Sequence, residues 1–330
     1  MQGGRIASQG RPLVIRGYGR VNSTTPVPFP MTLIDLFGVP LDLGASRRGV
    51  DMGPYAVRAA GLGSALLALG HDVHDHGNLA VADRGTFPPD ARGADFIPTI
   101  AAVCDELSRH VESSVAQRHF PVVLGGDHSL AAGSVAGAAR AMRARGEKLG
   151  LVWIDAHGDI NTPETSPSGN VHGMPVAHLL GHGDPRLQFT DGPAVRPEHT
   201  FLIGIRDLDP GERMHLRAYG VHVFTMHDVD RRGLSDVMEE AIALAAISAN
   251  GLWVSYDVDV QDPVHAPGVG TPVAGGLSWR EGHLVMEMIA DSGLLAGLDL
   301  VEVNPILDVS NRTAELAVGL ISSALGKRIL

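Results

Sequence analysis

The sequence predicts a three-layer α/β fold, an αβα sandwich around a central, mostly parallel sheet of eight strands. From residue 32 onward, short apolar runs alternate with longer stretches of helical periodicity. The runs are continuously apolar, which is typical of parallel strands covered by helices on both faces. Polar residues directly follow several runs, and ligands in such folds bind beyond the carboxyl ends of the strands.

Most of the predicted strands are short runs rich in branched and aromatic apolar side chains. In chain order the strands cover residues 32–38, 71–75, 120–125, 151–156, 200–205, 221–225, 251–257 and 297–302. The stretches between them place apolar residues on one helical face. In chain order these helices cover residues 54–69, 97–118, 129–145, 174–181, 211–219, 234–249 and 279–293.

Composition limits the function classes. A chain of 330 residues with 44% hydrophobic residues can bury a sizeable core. The formal net charge of −11 and the lack of any Lys/Arg block argue against a nucleic-acid partner, and a negative field favours a cationic small substrate. The single cysteine, Cys104, excludes an internal disulfide, and no apolar run reaches membrane-spanning length. We therefore expect a cytoplasmic protein without a membrane segment.

Residues 1–30 differ from the rest, because they contain four arginines and no acidic residue. We interpret them as a disordered extension, or as a mis-assigned start with translation beginning at Met31. A transit peptide is the alternative, but the segment has no clear amphipathic period. No linker-like stretch divides residues 31–330, so we expect them to form a single domain.

Two acidic segments follow apolar runs, Asp155–Asp159 and Asp257–Asp259. Alternate residues of an extended strand point to the same face, so the acidic side chains of each segment, together with His157, can converge. Four aspartates beside buried strands would repel one another and lose hydration, unless cations neutralise them. Two divalent ions carry four positive charges, which balance the four negative charges of the aspartates. The alternative for each segment is an ordinary polar turn.

A third segment, Gly125–Ser129, follows another apolar run and supplies a second imidazole, His128. Alternatively, His128 has a capping or packing role at this turn. We interpret the neighbouring Asp127 as structural. Oxygen and imidazole ligands without thiolate favour Mn²⁺, with Co²⁺, Ni²⁺ or Zn²⁺ as alternatives. The sequence therefore predicts a two-metal site of four aspartates and two histidines.

The loop of residues 161–173 directly follows the first acidic segment and is rich in Asn, Ser and Thr. An ordinary surface loop would have the same composition. Its neutral donors suit a substrate carboxylate, and His172, its only imidazole, could carry protons. The carboxylates of residues 207–212 suit an ammonium group or a helix N-terminus. Glu302 ends an apolar strand and needs a cation or donor if it is buried.

With these motifs, the chain resembles the ureohydrolases, and among them most closely the bacterial arginases. The matching segments are Gly38–Gly44, Arg47–Pro54, Gly125–Ser129, Asp155–Asn161, Ser168–Gly173, Ser255–Asp259, Gly270–Leu277 and Val301–Pro305. The Ser168–Gly173 loop favours arginase over agmatinase. One departure is Val260-Gln261, which stands where the family usually has Gly and puts the geometry of that turn in doubt.

The resemblance implies the arginase/deacetylase-like fold and a binuclear Mn²⁺ site. The ligands it implies for one ion are His128, Asp155, Asp159 and Asp257. For the other they are His157, Asp155, Asp257 and Asp259, so Asp155 and Asp257 would bridge the two ions.

The resemblance also implies roles in binding the substrate and moving protons. The positions matching the α-carboxylate site are Asn161, Ser168 and Asn170, and those matching the α-amino site are Asp209 and Glu212. The remaining matches are the proton-shuttling His172, the guanidinium-binding Glu302, Thr271, which supports Glu302, and Asp159, which accepts the proton of the attacking hydroxide.

We therefore predict a hydrolase of linear amidines that converts L-arginine and water to L-ornithine and urea. A hydroxide that bridges the two metal ions would attack the guanidinium carbon. The alternatives are an agmatinase or guanidinobutyrase-type ureohydrolase, a mononuclear deacetylase of the same architecture, and a non-catalytic, metal-stabilised oligomeric protein. The resemblance also implies a homo-oligomer, either a trimer or a hexamer.

Overall fold

The computed structural model describes residues 31–329, which form one eight-stranded sheet with helices around it. The strands are β1 Leu33–Val39, β2 Asp72–Asn78, β3 Phe120–Gly125, β4 Leu149–Ile154, β5 Thr200–Ile205, β6 His222–Thr225, β7 Gly251–Asp257 and β8 Leu295–Val301. All eight predicted strands are confirmed, with ends displaced by at most three residues. The predicted extension, residues 1–30, lies outside the described residues, and the single-domain assignment stays a prediction.

The strand order is β2-β1-β3-β8-β7-β4-β5-β6, and every pairing of named strands between residues 31 and 329 is parallel. The four central strands are therefore β3, β8, β7 and β4. Because all strands run in the same direction, their carboxyl ends meet at one edge of the sheet.

All helices but the last lie between successive strands, and the last follows β8. The helices are α1 Gly53–Ala59, α2 Leu62–Ala68, α3 Ile97–Ala116, α4 Ala131–Ala144, α5 Pro175–Leu179, α6 Pro210–Tyr219, α7 Met226–Arg232, α8 Leu234–Ser248, α9 Trp279–Asp291 and α10 Arg312–Ala324. The helix predicted over residues 54–69 is two helices, because Gly61 between them has a φ of 94°, which L-residues with a side chain rarely adopt.

Two helices, α7 and α10, were not predicted. A capping box begins α7, in which the Thr225 side chain accepts from the Asp228 amide and the Asp228 side chain from the Thr225 amide. In α10, buried apolar residues recur at helical spacing: Leu316, Ala317, Leu320, Ile321 and Ala324. Both signals are present in the sequence, so both helices were predictable.

The core lies on both faces of the sheet. Val152 and Ile154 of β4 belong to one buried apolar cluster, and Leu151 and Trp153 belong to the other. Alternate residues of one strand thus serve two separate cores, as strands covered on both faces require. No helix within residues 31–329 is long and apolar enough to cross a membrane.

Candidate metal centre and substrate pocket

The candidate site lies at the carboxyl edge of the four central strands. His128 follows β3, Asp155 follows β4, Asp257 ends β7 and Glu302 follows β8. All four side chains are buried. The predicted convergence of these polar residues is thus explained by the strand order, which makes β3, β8, β7 and β4 neighbours.

His128 faces three carboxylates. Its Nδ1 lies 3.2 Å from Asp155 Oδ2, 3.1 Å from Asp159 Oδ2 and 3.3 Å from Asp257 Oδ2. This nitrogen is buried and has no hydrogen-bond partner among residues 31–329. Negatively charged oxygens around an unpaired ring nitrogen are unfavourable, unless a cation lies between them.

The tautomer of His128 follows from its other nitrogen. Its Nε2 lies 2.8 Å from the Ser255 hydroxyl, which itself donates to Asp299. Because that hydroxyl proton is used, Ser255 accepts from His128, so in the neutral imidazole Nε2 carries the proton and Nδ1 offers a lone pair. An imidazole with its lone pair aimed at carboxylates has the donor set of a metal ligand, so these residues fit a divalent cation.

A second group adjoins the first. The Nδ1 of His157 lies 3.1 Å from Asp259 Oδ2 and 3.4 Å from Asp155 Oδ1. The described residues contain two clusters with metal-ligand spacing, one of His128, Asp155 and Asp257 and the other of Asp155, His157 and Asp259. Asp155 belongs to both clusters, with one carboxylate oxygen toward each histidine.

Electrostatics at the cluster also favours cations. Burial and the charge of Asp155 raise the pKa of Asp159 to about 6. Burial and neighbouring carboxylates likewise raise the pKa values of Asp257 and Asp259. Burial opposes the charged form of His128, but the surrounding aspartates outweigh it and raise its pKa. A cluster that binds protons this readily has excess negative charge, which divalent ions would neutralise.

A cavity of about 280 Å³ opens beside the cluster. Its lining includes most of the predicted site residues: His157, Asp159, Asn161, Ser168, Asn170, His172, Asp209, Glu212, Asp257 and Thr271. Glu302 lies in an adjoining cavity of about 210 Å³, which shares Asn170, His172 and Thr271 with the first. The structure therefore brings the predicted metal and substrate residues together.

The predicted carboxylate-binding and ammonium-binding residues are linked. Asn161 Nδ2 donates to Asp209 Oδ2 at 3.0 Å, and its Oδ1 accepts from the Thr165 hydroxyl at 3.0 Å. Glu212 accepts from the Asp209 amide at 2.9 Å and closes the capping box of α6. Burial raises the pKa of Glu212 to about 7. Glu212 thus serves the helix N-terminus while it lines the pocket.

His172 and Glu302 form a pair. His172 Nδ1 lies 2.9 Å from Glu302 Oε1, which also accepts from the His128 amide at 3.0 Å. Burial lowers the pKa of His172, but the Glu302 charge outweighs burial and raises the pKa to about 9. Glu302 and Asp159 have φ values of 66° and 49°, a left-handed conformation that is strained for residues with a side chain.

Thr271 and Asp127 have contacts that bear on their expected roles. The Thr271 hydroxyl donates to Asp259 Oδ2 at 3.0 Å, so its hydrogen bond reaches a predicted metal ligand instead of Glu302. Asp127 accepts from the amides of Ser129 and Gly44, in agreement with a structural role.

Sequence reasoning missed the residues that orient the ligands. Asp299 is buried in β8 and accepts from the Ser255 hydroxyl, which contacts His128. Trp153 stacks on the His128 ring at 3.9 Å and donates to Asp155 at 3.0 Å. The available signal was polarity, because Ser255 and Asp299 interrupt otherwise apolar strands.

Arg206 was also missed, although it directly follows β5. Its Nη2 donates to the Asp259 and Val273 carbonyls, each at 2.7 Å, and its Nη1 to the Val260 carbonyl at 3.0 Å. These bonds join the turn that carries Asp259 to the segment that follows Thr271.

The Val260-Gln261 departure does not disturb this turn. Neither Val260 nor Gln261 has a positive φ, so neither position needs a glycine. The buried amide of Gln261 accepts from the Tyr256 hydroxyl at 2.5 Å and donates to the Ser278 carbonyl at 3.1 Å. The substituted side chain is thus hydrogen-bonded at both ends of its amide.

Comparisons with known proteins agree with this geometry. Residues 33–326 match the model of the arginase family. An arginase of Bacillus caldovelox is 47% identical over 304 residues, which cover 91% of this chain and 100% of that protein. The solved B. caldovelox arginase has a TM-score of 0.86 at 46% identity, with 91% and 100% of the two chains covered. An Entamoeba histolytica arginase solved with L-ornithine has a TM-score of 0.84 at 30% identity, again with 91% and 100% covered.

The family model matches most of the chain, one relative is nearly half identical in sequence, and the fold is shared. These findings agree with the His/Asp cluster. The chain belongs to the arginase family.

Proposed function

We propose that the protein is a manganese-dependent arginase that hydrolyses L-arginine to L-ornithine and urea. The observation that carries the proposal is the buried Nδ1 of His128, which has no hydrogen-bond partner in the described part of the chain and faces three aspartates beside a polar cavity. Family membership favours the same reaction over the deacetylase and non-catalytic alternatives.

Two ions would be held by six side chains: His128, Asp155, His157, Asp159, Asp257 and Asp259. The donor set of carboxylate oxygen and imidazole suits Mn²⁺. When bound, divalent ions lower the pKa of water and supply a hydroxide nucleophile near neutral pH.

Glu302 would orient the substrate. Its Oε1 accepts from His128 and His172, while Oε2 has no hydrogen bond within residues 31–329. A guanidinium could donate to this free oxygen without displacing either partner. Holding the guanidinium in one orientation next to the nucleophile lowers the barrier, because less orientational freedom is lost in the reaction.

Asp159 and His172 would move protons. Asp159 is buried beside the metal cluster, 3.1 Å from His128 Nδ1, where its carboxylate would accept a proton and return it to the departing amine. His172 lies between the cavity and Glu302, with 16% of its side chain exposed. It can therefore exchange protons with solvent at the nitrogen that Glu302 does not use.

The donors above the cavity would select the amino-acid end of the substrate. Asn161, Ser168 and Asn170 offer neutral hydrogen-bond donors for a carboxylate, and Asp209 offers a carboxylate for the ammonium group. Agmatine has no carboxylate, so it would leave these donors unpaired. The E. histolytica arginase was solved in complex with L-ornithine, which is the amino acid expected here as product.

Urea release from L-arginine, agmatine and guanidinobutyrate, with and without added Mn²⁺, tests the proposal. We expect Mn²⁺-dependent activity with kcat/KM for L-arginine higher than for agmatine by about 10³–10⁴, since sites built to hydrogen-bond a missing group discriminate strongly. Comparable kcat/KM values for L-arginine and agmatine would contradict the specificity for L-arginine and indicate a ureohydrolase of different specificity. No urea from any of the three would contradict the proposal.

The homo-oligomer, a trimer or hexamer, and the cytoplasmic location stay predictions. Sedimentation of the purified protein would measure the number of subunits.

A further inference from the structure

Within residues 31–329, the side-chain amide of Asn170 makes a hydrogen bond with its oxygen and none with its nitrogen. Its Oδ1 accepts from the Ser46 hydroxyl at 2.7 Å. Its Nδ2 makes no hydrogen bond within residues 31–329, and Asn170 lines both the substrate cavity and the adjoining cavity of Glu302. The unused end is therefore the donor, at the place where the substrate carboxylate is expected.

The orientation of this amide matters for the substrate. A carboxylate only accepts hydrogen bonds, so it pairs with the N–H end of an amide and is repelled by the oxygen end. With its oxygen satisfied by Ser46, Asn170 keeps both N–H groups for a ligand. A hydrogen bond accepted at the oxygen also polarises the amide, which strengthens its N–H donors.

Ser46 lies on a turn that is itself held in place. Arg84 Nη2 donates to the Asp42 carbonyl at 2.6 Å and to the Ala45 carbonyl. The Arg84 guanidinium also lies over the Phe96 ring, 4.9 Å from its centroid. Arg84 thus holds the turn before Ser46 in place, and Arg84 is not one of the predicted substrate-binding residues.

The same turn contacts the substrate loop at a second point. The His172 amide donates to the Gly44 carbonyl at 3.2 Å, and the Gly44 amide donates to Asp127 at 2.8 Å. Two residues of the turn, Gly44 and Ser46, therefore hold two residues of the loop, His172 and Asn170. Rotation of the Asn170 side chain is restricted by a turn that cannot easily move with it.

We propose that Ser46 is a specificity-determining residue, which positions the Asn170 amide so that its N–H groups bind the α-carboxylate of the substrate. This inference rests on the proposed arginase function and deepens it. Ser46 acts through Asn170 and is a positioning residue, so its loss affects substrates with a carboxylate and spares those without one.

The test compares Ser46→Ala with Ser46→Thr on L-arginine and on agmatine. In Ser46→Ala we expect KM for L-arginine to rise about tenfold, kcat to stay within about twofold, and kcat/KM for agmatine to stay unchanged, because one net hydrogen bond corresponds to about that factor. Ser46→Thr keeps the hydroxyl and should behave like the wild type. Thr86→Ala removes an exposed hydroxyl from the turn Arg84–Thr86, outside both cavities, and serves as the matched control.

A second measurement separates positioning from general disturbance. In an Asn170→Ala background, Ser46→Ala should cause no further rise in KM, because its effect passes through that amide. Metal content and Tm should match the wild type. Three results would overturn the inference and leave the arginase activity of the wild type in place. They are equal losses of kcat/KM on both substrates, an unchanged KM for L-arginine, and a double variant in which the two increases in KM add. Absence of wild-type activity on L-arginine would overturn the proposed function and this inference together.

Discussion

His172 and Glu302 form a hydrogen-bonded pair, with His172 Nδ1 2.9 Å from Glu302 Oε1. The carboxylate is buried, and burial would raise its pKa, but His172 outweighs burial and lowers it. The pair joins the residue proposed to bind the guanidinium to the residue proposed to exchange protons with solvent. Changes at either residue should therefore affect turnover more than metal binding.

Replacing the imidazole tests this directly. In His172→Asn, kcat on L-arginine should fall by about 10-fold to 10³-fold, because the group proposed to exchange protons with solvent is lost. Metal content should stay at the wild-type level, since His172 belongs to neither metal cluster. Steady-state kinetics and elemental analysis of the same preparation measure both effects. A variant that loses its metal would place His172 among the ligands, and one with unchanged kcat would remove its proton role.

Metal binding should depend most on Asp155. This residue is shared by both clusters, while Asp259 belongs to one. After Mn²⁺ loading and dialysis, the wild type should hold about two ions per chain, Asp155→Asn should hold the least, and Asp259→Asn an intermediate amount. Asp230→Asn, at an exposed position of α7, is the matched control.

Removal of the metal should also lower stability. Ions that bind only the folded state stabilise it by about 2.7 kcal/mol at a hundredfold excess over Kd. Chelation of the wild type should therefore lower Tm, and the decrease should be smaller in Asp155→Asn. Equal Tm shifts in the two proteins would contradict the shared-ligand assignment.

The Ser255 hydroxyl should increase metal affinity through His128. Ser255→Ala removes the acceptor at 2.8 Å from His128 Nε2 and leaves that buried nitrogen without its partner. Loss of such outer contacts typically weakens metal binding by about 10–100-fold. Competition with a chelator measures the affinity. Ser248→Ala, whose hydroxyl bonds only carbonyls of its own helix α8, should leave the affinity unchanged.

Glu212 should make stability depend on pH. Its pKa is raised from an ordinary value of 4.5 to about 7, so the folded protein keeps this proton where the unfolded chain has lost it. The contribution of Glu212 to the free energy of unfolding therefore falls as pH rises through this window, by about 2–3 kcal/mol. In Glu212→Gln this fall is absent.

Urea unfolding of the metal-free protein at about pH 5 and about pH 8 measures the difference. The free energy of unfolding of Glu212→Gln should decrease less between the two pH values than that of the wild type. Glu239→Gln, at an exposed position of α8, should follow the wild type. Parallel decreases in all three proteins would show that Glu212 does not titrate in this range.

Seven of the eight strands were predictable because their signals are local, and the exception is β2, an exposed and mostly polar strand at the edge of the sheet. Each buried strand of a parallel sheet reads as a continuous apolar run, and the acidic motifs stand at the ends of those runs. One element was misjudged, because the first predicted helix is divided at Gly61, where a glycine in the left-handed region follows the end of the first half.

By itself, the sequence determined the α/β class, the strands and the chemical types available at their ends, since these follow from local composition and periodicity. Only the tertiary structure decided which side chains meet. The order β3-β8-β7-β4 places His128 beside Asp155 and Ser255 beside Asp299, and the turn at Ser46 meets Asn170, 124 residues away. Such contacts depend on strand order and register, which the sequence of a single segment does not reveal.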